Sequence, residues 1–400
     1  GPRRVPFLAL WSIMIACRLP SFLSAALLLL GLSSAAADNP SPVQVIAACD
    51  ETHYRHSEGS AIELPDGRIL LAWSRFDGHK NRCGPLGDNG KATIVLSEST
   101  DGGQTWSEPR ELPVGTATIN IMQAAFVPVR DRLMLAYSVR MREGRTSQKF
   151  AIESSDGGKT WSDRRLLFDA GGANDRAVRL STGRILMPAH RRSEKKFGRD
   201  HDTDVLVAWS DDEGHTWKLS DPIPHVTHSM EARETDPRPL KVHELTVAEC
   251  KDGSLLMFAR SSGGVLYQSR STDHGLTWSI LEPTTIPSFA APPYMRRLRD
   301  GRLVLLWNPI AGKNGIAKAE EAAKKQIPFP YGKRIQLTLA TSGDDGKTWS
   351  APRVIAEDNR HGFCYPWLIE RKDGSLLVFC SRTPEIIYPA DMVLLAPIQP

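Results

Sequence analysis

A small set of carboxylate, guanidinium and phenol side chains stands near the ends of strand-like segments. Glu244 and Arg260 bracket one apolar hairpin pattern, Tyr365 opens another, and Arg334 precedes a further strand. Guanidinium groups bind carboxylates through paired, charge-assisted hydrogen bonds, and a phenol becomes a nucleophile when a base removes its proton. The same residues could instead form an ion pair and a packed aromatic, so their meaning depends on the elements that position them.

An eight-residue motif, Ser-x-Asp-x-Gly-x-Thr-Trp, occurs five times and indicates the architecture. Successive Trp residues of the motif lie 55, 56, 61 and 71 positions apart, and self-similarity at such a period is typical of a repeat fold. Asp and Ser side chains bond to turn amides and Gly adopts a positive φ, so each copy predicts a hairpin turn. The copies occupy residues 99–106, 154–161, 210–217, 271–278 and 342–349.

A second repeat alternates with the first and consists of two apolar runs joined by a tight turn. Four of its six turns are Asp-Gly, a strong hairpin signal. Two hairpins make a four-stranded blade, so the count predicts an all-β, six-bladed β-propeller. We expect residues 391–398 and 43–48 to complete the last blade. The hairpins occupy residues 60–74, 123–138, 175–190, 244–260, 293–308 and 365–381.

Residues 315–326 depart from the strand pattern because they are rich in Ala, Glu and Lys, and they predict a short exposed helix. A solvated insertion is one interpretation of this segment. A lid over a site on the propeller is the other.

The first 37 residues resemble a secretory signal peptide, with basic residues, an apolar stretch and Ala35-Ala36-Ala37 as a cleavage site. We expect residues 38–400 to form a single exported domain, secreted or periplasmic, and a retained membrane anchor is the alternative. Without residues 1–37 the chain has 47 basic against 46 acidic side chains. This near balance gives no support for nucleic-acid binding, which needs a concentrated basic face.

The turn motif on a six-bladed propeller resembles the Asp-box repeats of the sialidase superfamily, the exo-glycosidases that release sialic acids. The resemblance covers residues 50–400. It implies that Glu244 is a base, that Tyr365 is the nucleophile, and that Arg260 and Arg334 bind the substrate carboxylate. A carboxylate nucleophile would be repelled by the acidic sugar, whereas a neutral Tyr is not.

The resemblance places the catalytic acid in the loop between Trp73 and residues 92–96. Asp88 precedes the outgoing strand as the family's acid does, and Asp77 is the other candidate. Arg75 resembles a family arginine that lines the same pocket. Both Asp residues adjoin Gly, so each could be a turn residue only.

One departure from the family concerns its Arg-Ile-Pro motif, whose Arg completes a three-arginine clamp. Counting back from the turn at 66–67 places residues 57–59 there, so the first arginine is missing, although Arg55 stands two residues earlier. His56 and Glu58 are then expected to face the site.

A second unusual feature is Asn174-Asp175-Arg176 at the mouth of blade three. Arg176 could replace the missing clamp arginine, and Asp175 offers another acid. A related acidic sugar, such as another ulosonic acid or a uronic acid, is therefore an open alternative to sialic acid.

The sequence thus predicts a retaining exo-glycosidase acting on a sialylated or other acidic glycan, with no metal or cofactor in its chemistry. A hydrolase or lyase for acidic polysaccharide, using His56, Glu58, Arg176 and Tyr365, is the first alternative. A non-catalytic carbohydrate-binding propeller is the second, although a binder has no need of a nucleophile–base pair. The chain contains no phosphate-binding Gly loop, serine nucleophile elbow or HExxH motif.

Overall fold

The structure is a computed structural model that describes residues 42–82, 87–141, 147–172, 175–192, 203–225, 240–325, 327–330, 332–384 and 389–400. The predicted signal peptide and Asn174 lie outside these residues. The described strands form six antiparallel sheets of four strands each, which confirms the six-bladed β-propeller. None of the described helices is long and apolar enough to cross a membrane.

The strands of the first three blades follow one another along the chain, after a strand β1 (Val43–Ala47) that belongs to the last blade. Blade one contains β2 (His53–Glu63), β3 (Ile69–Asp77), β4 (Ala92–Ser99) and β5 (Arg110–Glu111). Blade two contains β6 (Asn120–Val127), β7 (Leu133–Arg140), β8 (Ser147–Ser154) and β9 (Arg165–Phe168). Blade three contains β10 (Val178–Arg179), β11 (Ile185–Arg192), β12 (Thr203–Ser210) and β13 (Lys218–Leu219).

The last three blades repeat this arrangement. Blade four contains β14 (Val242–Glu249), β15 (Leu255–Ser261), β16 (Val265–Ser271) and β17 (Glu282–Pro287). Blade five contains β18 (Tyr294–Arg297), β19 (Leu303–Trp307), β20 (Gln336–Ser342) and β21 (Arg353–Glu357). Blade six contains β22 (Gly362–Glu370), β23 (Leu376–Thr383), β24 (Asp391–Ile398) and β1.

Strand β1 closes the ring as the outer strand of blade six. It pairs antiparallel with β24, with Val43 opposite Leu395 and Val45 opposite Val393. The predicted sharing of this blade between two distant segments is therefore confirmed. The ring encloses the inner edge strand of each blade, and the outer edge strands are two to six residues long, which limits pairing with other chains.

The five Asp-box turns connect the third and fourth strands of blades one to five, and they share one hydrogen-bond pattern. In each, the Ser Oγ donates to the Asp Oδ1 at 2.8 Å, and the Thr Oγ1 donates to the Asp Oδ2 at 2.5–2.6 Å. The motif tryptophans pack against the preceding blade, since Trp106 contacts Phe379 and Trp349 contacts Phe258 at ring-centroid distances of 6.0 and 5.9 Å. The turns therefore join neighbouring blades.

The predicted helix forms as α1 (Lys313–Lys325), in the connection between β19 and β20. Ala319, Ala322 and Ala323 are buried, and Ala323 packs in the core of blade four. Its alanine face is covered by protein, so the segment is docked on blade four and is not a fully solvated insertion.

Candidate active site

The inner strands of the blades share a local distortion, and that distortion presents the candidate residues. The pairing register shifts at residues 57–60 in β2, 122–125 in β6, 243–245 in β14 and 364–367 in β22, which marks a β-bulge in each. Five non-glycine residues at the inner ends of blades one to four and six adopt a positive φ of 42–65°: Glu58, Gln123, Asp175, Glu244 and Tyr365.

Blade five lacks this conformation, and its sequence explains why. Glu58, Glu244 and Tyr365 each lie nine residues before the turn glycine of their hairpin, and Pro292 holds that place before Gly301. The proline ring fixes φ near −65° and so excludes the left-handed region. The ring of special backbone positions is therefore interrupted at blade five.

Glu244 and Arg260 form a buried ion pair at the centre of the candidate site. Arg260 lies opposite His243 across β14 and β15, and its Nη1 donates to Glu244 Oε2 at 2.5 Å. Burial on its own raises the pKa of Glu244, but the charge of Arg260 and its hydrogen bond outweigh burial and lower that pKa to about 2. Glu244 is therefore an ionised carboxylate in a dry environment.

Tyr365 is 5% exposed and stands within electrostatic range of this pair. Burial raises the pKa of Tyr365 well above its usual value, and the carboxylates of Glu244 and Glu58 raise it further. Its hydroxyl makes no hydrogen bond to any described residue. The result is a neutral phenol within electrostatic range of an ionised carboxylate: the phenol still carries its proton, and the carboxylate is free to accept one.

Arg55 also belongs to the site, contrary to the count that left the first clamp position empty. Its side chain is fully buried, Nη1 donates to Asp88 Oδ1 at 2.5 Å, and Nη2 lies 3.4 Å from Glu58 Oε2. Two bulges in β2, between 53 and 55 and between 57 and 60, each add one residue relative to β3. Only the second bulge lies between Arg55 and the turn, so it accounts for one residue of the two-residue displacement.

Asp88 reaches the site from the loop between β3 and β4. Its carbonyl oxygen accepts hydrogen bonds from Asn120 Nδ2 at 2.6 Å and from Arg140 Nη1 at 2.5 Å, which anchors the loop to blade two. Burial raises the pKa of Asp88, but Arg55 more than compensates and the pKa is lowered. The carboxylate is 52% exposed and ionised in the free protein.

The two other candidate acids are placed differently. Asp77 is exposed at the end of β3, and its amide donates to the carbonyl of Lys91. Asp175 accepts hydrogen bonds from Ser60 Oγ and, at 3.0 Å, from the hydroxyl of Tyr294. Both bonds hold the Asp175 carboxylate among the inner strands, away from the Arg55 contacts.

Arg334 and Arg176 bring two more buried guanidiniums to the inner strands. Arg334 Nη2 donates to the Ala290 carbonyl at 2.6 Å, and Arg176 Nη1 donates to the Pro366 carbonyl at 3.3 Å. Glu244 and Tyr365 act on Arg176 electrostatically, although burial lowers its pKa overall. Among the described residues, Arg334 Nη1 and Arg176 Nε and Nη2 are buried without a hydrogen-bond partner. Unpaired buried guanidinium nitrogens favour an anionic ligand.

The structure does not bring His56 and Arg75 to this cluster, contrary to expectation. His56 Nδ1 accepts a hydrogen bond from Trp73 Nε1 at 3.0 Å, and Arg75 forms an ion pair with Glu111 on the outer strand β5. Successive side chains of a strand point to opposite faces. Because Arg55 faces the site, His56 faces the blade interior.

Three residues that sequence reasoning missed lie beside the site: Lys149, which is buried, and His190 and His243, which are half-buried. Lys149 is fully buried on β8, and its Nζ donates to the Gln123 carbonyl at 3.4 Å and to Ser138 Oγ at 3.3 Å. Burial lowers its pKa to about 7, opposed by the charge of Glu58. His190 and His243 pack edge to face at 5.9 Å, and burial lowers the pKa of both. In β8, Lys149 shares its strand face with Ala151 and Glu153, which the sequence predicts to be a polar face, so alternation gave no signal that Lys149 is buried.

The chain is similar to several known proteins. Residues 88–378 match the family described as BNR repeat-like domain. A curated sialidase of Micromonospora viridifaciens is 23% identical over 326 residues, which are 73% of this chain and 44% of the sialidase. The chain therefore spans less than half the length of that relative.

Solved structures show the same fold at lower identity. A mutant of the NanB sialidase from Streptococcus pneumoniae has a TM-score of 0.62 at 14% identity, over 90% of this chain and 71% of that one. Trypanosoma rangeli sialidase with the inhibitor DANA has a TM-score of 0.62 at 13% identity, over 89% and 60%. A Dyadobacter fermentans protein of unknown function has a TM-score of 0.61 at 17% identity, over 88% and 99%.

Proposed function

Because the chain belongs to the BNR repeat-like domain family, in a sialidase-like superfamily, we propose that it is an exo-glycosidase that hydrolyses terminal sialic acid or a related acidic sugar from glycoconjugates. The observation that carries the proposal is the ionised Glu244, paired with Arg260, beside the neutral phenol of Tyr365. Export through the signal peptide at residues 1–37, with residues 38–400 as the catalytic domain, is part of the same proposal.

Buried guanidiniums support an acidic sugar as the substrate. Arg55, Arg260 and Arg334 supply the three arginines that the family's clamp requires, and Arg176 adds a fourth buried cation. A substrate carboxylate would accept hydrogen bonds from donors such as Arg334 Nη1, which is buried without a partner among the described residues. Paired, charge-assisted bonds of this kind fix both the position and the orientation of a carboxylate.

Tyr365 suits the attack on such a sugar because the anomeric carbon carries the carboxylate. A carboxylate nucleophile would meet like charge there, which is why sialidases depart from the two-carboxylate pattern of glycosidases. Glu244 accepts the phenolic proton as the Tyr365 oxygen bonds to the anomeric carbon, and Arg260 keeps Glu244 ionised until then. Water then hydrolyses the tyrosyl intermediate with retention.

The test is turnover of the methylumbelliferyl glycoside of N-acetylneuraminic acid by the wild type and by Tyr365→Phe. We expect the variant to lose activity by on the order of 10³-fold or more, because the nucleophile is gone. Tyr137→Phe is the matched control: Tyr137 is also buried, but its hydroxyl donates to the carbonyl of Val114, in the connection between β5 and β6. Full activity in Tyr365→Phe, or no turnover by the wild type, would contradict the proposal.

The neutral bases beside the site favour a second candidate, β-elimination from a uronic acid. Burial lowers the pKa of Lys149 to about 7 and contributes to lowering that of His243 to about 3. A lyase needs such a base near the acidic carbon and an arginine on the carboxylate. Ultraviolet absorbance of an unsaturated product from a uronic-acid polysaccharide would identify this reaction, whereas release of a saturated reducing sugar would exclude it.

A further inference from the structure

Glu58 is a buried carboxyl group that neither the Tyr365–Glu244 pair nor the arginine clamp uses. It occupies the bulge of β2, with φ of 55°, at the place in blade one that Glu244 and Tyr365 occupy in blades four and six. Its exposure of 2% is similar to the 5% of those two residues. A left-handed backbone at a glutamate is costly, and such conformations cluster at functional sites.

The hydrogen bonding of Glu58 is incomplete for an ionised carboxylate. Its Oε2 is buried without a hydrogen-bond partner among the described residues, and its contact with Arg55 Nη2 is 3.4 Å long. Arg55 instead makes its short bonds to Asp88 and to Ser57 Oγ, at 2.5 and 2.7 Å. An enclosed carboxyl with an unpaired oxygen is more stable in its protonated form.

Several charged groups face Glu58 from the surrounding elements. Burial raises its pKa to about 7, Arg55 opposes the rise, and the carboxylates of Asp88 and Glu244 reinforce it. Six charged or titratable groups interact electrostatically with Glu58. They are Arg55 on the same strand, Asp88 on the loop after β3, Arg140 on β7, Lys149 on β8, Glu244 on β14 and Tyr365 on β22.

Asp88 is less suited to hold a proton than the family resemblance implies. Its carboxylate is half exposed and bonded to Arg55, so it is ionised in the free protein. A general acid must carry its proton before the substrate reacts. The two carboxyl groups that flank Arg55 therefore differ in protonation. Asp88 is the ionised partner of the Arg55 guanidinium, and Glu58 stays neutral.

We infer that Glu58 is the general acid that protonates the glycosidic oxygen in the reaction proposed above. This inference rests on the proposed function, since it assigns a residue to the same site. As the bond from the anomeric carbon to that oxygen breaks, the Glu58 proton passes to the oxygen and the aglycone leaves as an alcohol. Tyr365 forms the new bond to the anomeric carbon, and its proton passes to Glu244.

The second half of the reaction restores both residues. The carboxylate of Glu58 takes a proton from water while the water oxygen bonds to the anomeric carbon. The Tyr365 oxygen leaves and recovers its proton from Glu244. The sum is one substrate and one water converted into a free sugar and an alcohol.

The test compares Glu58→Gln with Asp88→Asn on two sialosides. In sialyllactose the leaving group is a hydroxyl oxygen of lactose, which is a poor leaving group unless it is protonated. Methylumbelliferone leaves without protonation. We expect Glu58→Gln to lower kcat on sialyllactose by about 10²–10⁴-fold and to lower it far less on the methylumbelliferyl glycoside. Glu63→Gln, at the other end of β2, is the control and keeps wild-type turnover. The inference would be overturned if Asp88→Asn lost far more kcat on sialyllactose than on the methylumbelliferyl glycoside while Glu58→Gln lost kcat equally on both substrates.

The pH profile gives a second readout that loss of packing would not produce. Wild-type kcat/KM is expected to fall on the alkaline side near pH 7 as Glu58 loses its proton, and Glu58→Gln loses this limb. Lys149 titrates in the same range, so Lys149→Met must keep the limb. A limb that persists in Glu58→Gln and disappears in Lys149→Met would refute the role of Glu58.

An infrared difference spectrum separates this inference from the proposed function. The wild type minus Glu58→Gln should show the carbonyl stretch of a protonated carboxylic acid at pH 6, and its absence removes Glu58 as the acid whatever the activity. Without sialoside turnover by the wild type, both proposals fall. Turnover of both substrates by Glu58→Gln at the wild-type rate, with Tyr365→Phe inactive, removes this one alone.

Discussion

The Asp-box turns and the inner-strand bulges both hold non-glycine residues in the left-handed region, yet they treat their polar groups in opposite ways. In the turns, Glu213, His274 and Asp345 adopt a φ of 56–61°, and every motif Asp is bonded to the Ser and Thr of its own loop. In the bulges, Glu58 has a similar φ, but its Oε2 lacks a hydrogen-bond partner among the described residues.

The difference shows that the same backbone strain serves two purposes. At the turns the backbone strain is offset by short hydrogen bonds within the same loop, so the loops stabilise the blades. At the bulges it brings carboxylates, guanidiniums and a phenol into a buried ring where they are incompletely paired, which costs stability and leaves donors and acceptors available for a ligand. We therefore expect substitutions at the turns to change stability and substitutions at the bulges to change activity.

The largest expected effect is that of Glu244→Gln at a bulge. We expect kcat to fall by about 10²–10⁴-fold, because an amide cannot accept the proton of Tyr365. Glu249→Gln on the same strand is the control, since its carboxylate lies at the turn end and accepts hydrogen bonds from Ser181. Steady-state kinetics on the methylumbelliferyl sialoside measures both, and unchanged turnover in Glu244→Gln would break the comparison.

The next effect is a gain in stability from Lys149→Met. Burial lowers the Lys149 pKa from 10.5 to about 7, so the unfolded state binds the proton more tightly and wild-type stability decreases as the pH falls from 10.5 to 7. We expect the variant to raise the free energy of unfolding by roughly 1–4 kcal/mol at pH 7, and by less near pH 10. Denaturant unfolding at both pH values measures this gain.

Lys159→Met in an Asp-box turn is the matched control for that variant. Lys159 is exposed, so its substitution should change the free energy of unfolding by less than about 0.5 kcal/mol. A loss of stability in Lys149→Met would show that the lysine is well satisfied where it lies. The site would then contain fewer unpaired polar groups than its hydrogen bonds indicate.

The smallest effect is that of Asp273→Ala at a turn, which should cost about 1–3 kcal/mol of unfolding free energy with normal activity. The carboxylate accepts hydrogen bonds from Ser271 Oγ at 2.8 Å, from the Thr277 amide at 2.9 Å and from Thr277 Oγ1 at 2.5 Å. Thermal unfolding and sialoside turnover are measured together, with exposed Asp163→Ala as the control. Loss of activity at unchanged stability would reverse the expected division of roles.

Acid pH extends the same test to the other turns. Hydrogen bonds from Thr105 and Thr348 lower the pKa values of Asp101 and Asp344 to about 2. A carboxylate with a lowered pKa stabilises the fold above its unfolded value of 3.8 and loses that contribution as the pH falls through its folded value. The pKa of Asp273 is lowered by the same kind of hydrogen bonds, so the deficit of Asp273→Ala should shrink as the pH falls below 3.8.

The blades could be predicted from the sequence because each repeat carries its own local signals. The turn motif and the Asp-Gly hairpins specify φ and hydrogen bonding within a few residues, so neither needs the rest of the chain. The closing strand pair also followed, because six blades need two strands more than the hairpins supply. The Glu244–Arg260 contact was equally accessible, since the two residues end neighbouring strands of one hairpin.

The first blade shows where sequence reasoning fails. The bulge between 57 and 60 adds a residue that no local signal marks, so counting back from the turn did not place Arg55 at the site and predicted that His56 faces it. Lys149 was missed for another reason: a lysine in a strand indicates an exposed face, and only the assembled ring shows that Lys149 is fully buried between two partly buried neighbours. Registers and burial at the axis depend on all six blades together.

The pairing of β1 with β24 has a consequence for how the ring opens. Strand β24 lies between β23 and β1, so loss of the β1–β24 pairing exposes one free edge on β1 and one on β24. Free strand edges are templates for aggregation. A substitution that weakens this one pairing is therefore expected to promote association between chains even where the other five blades stay intact.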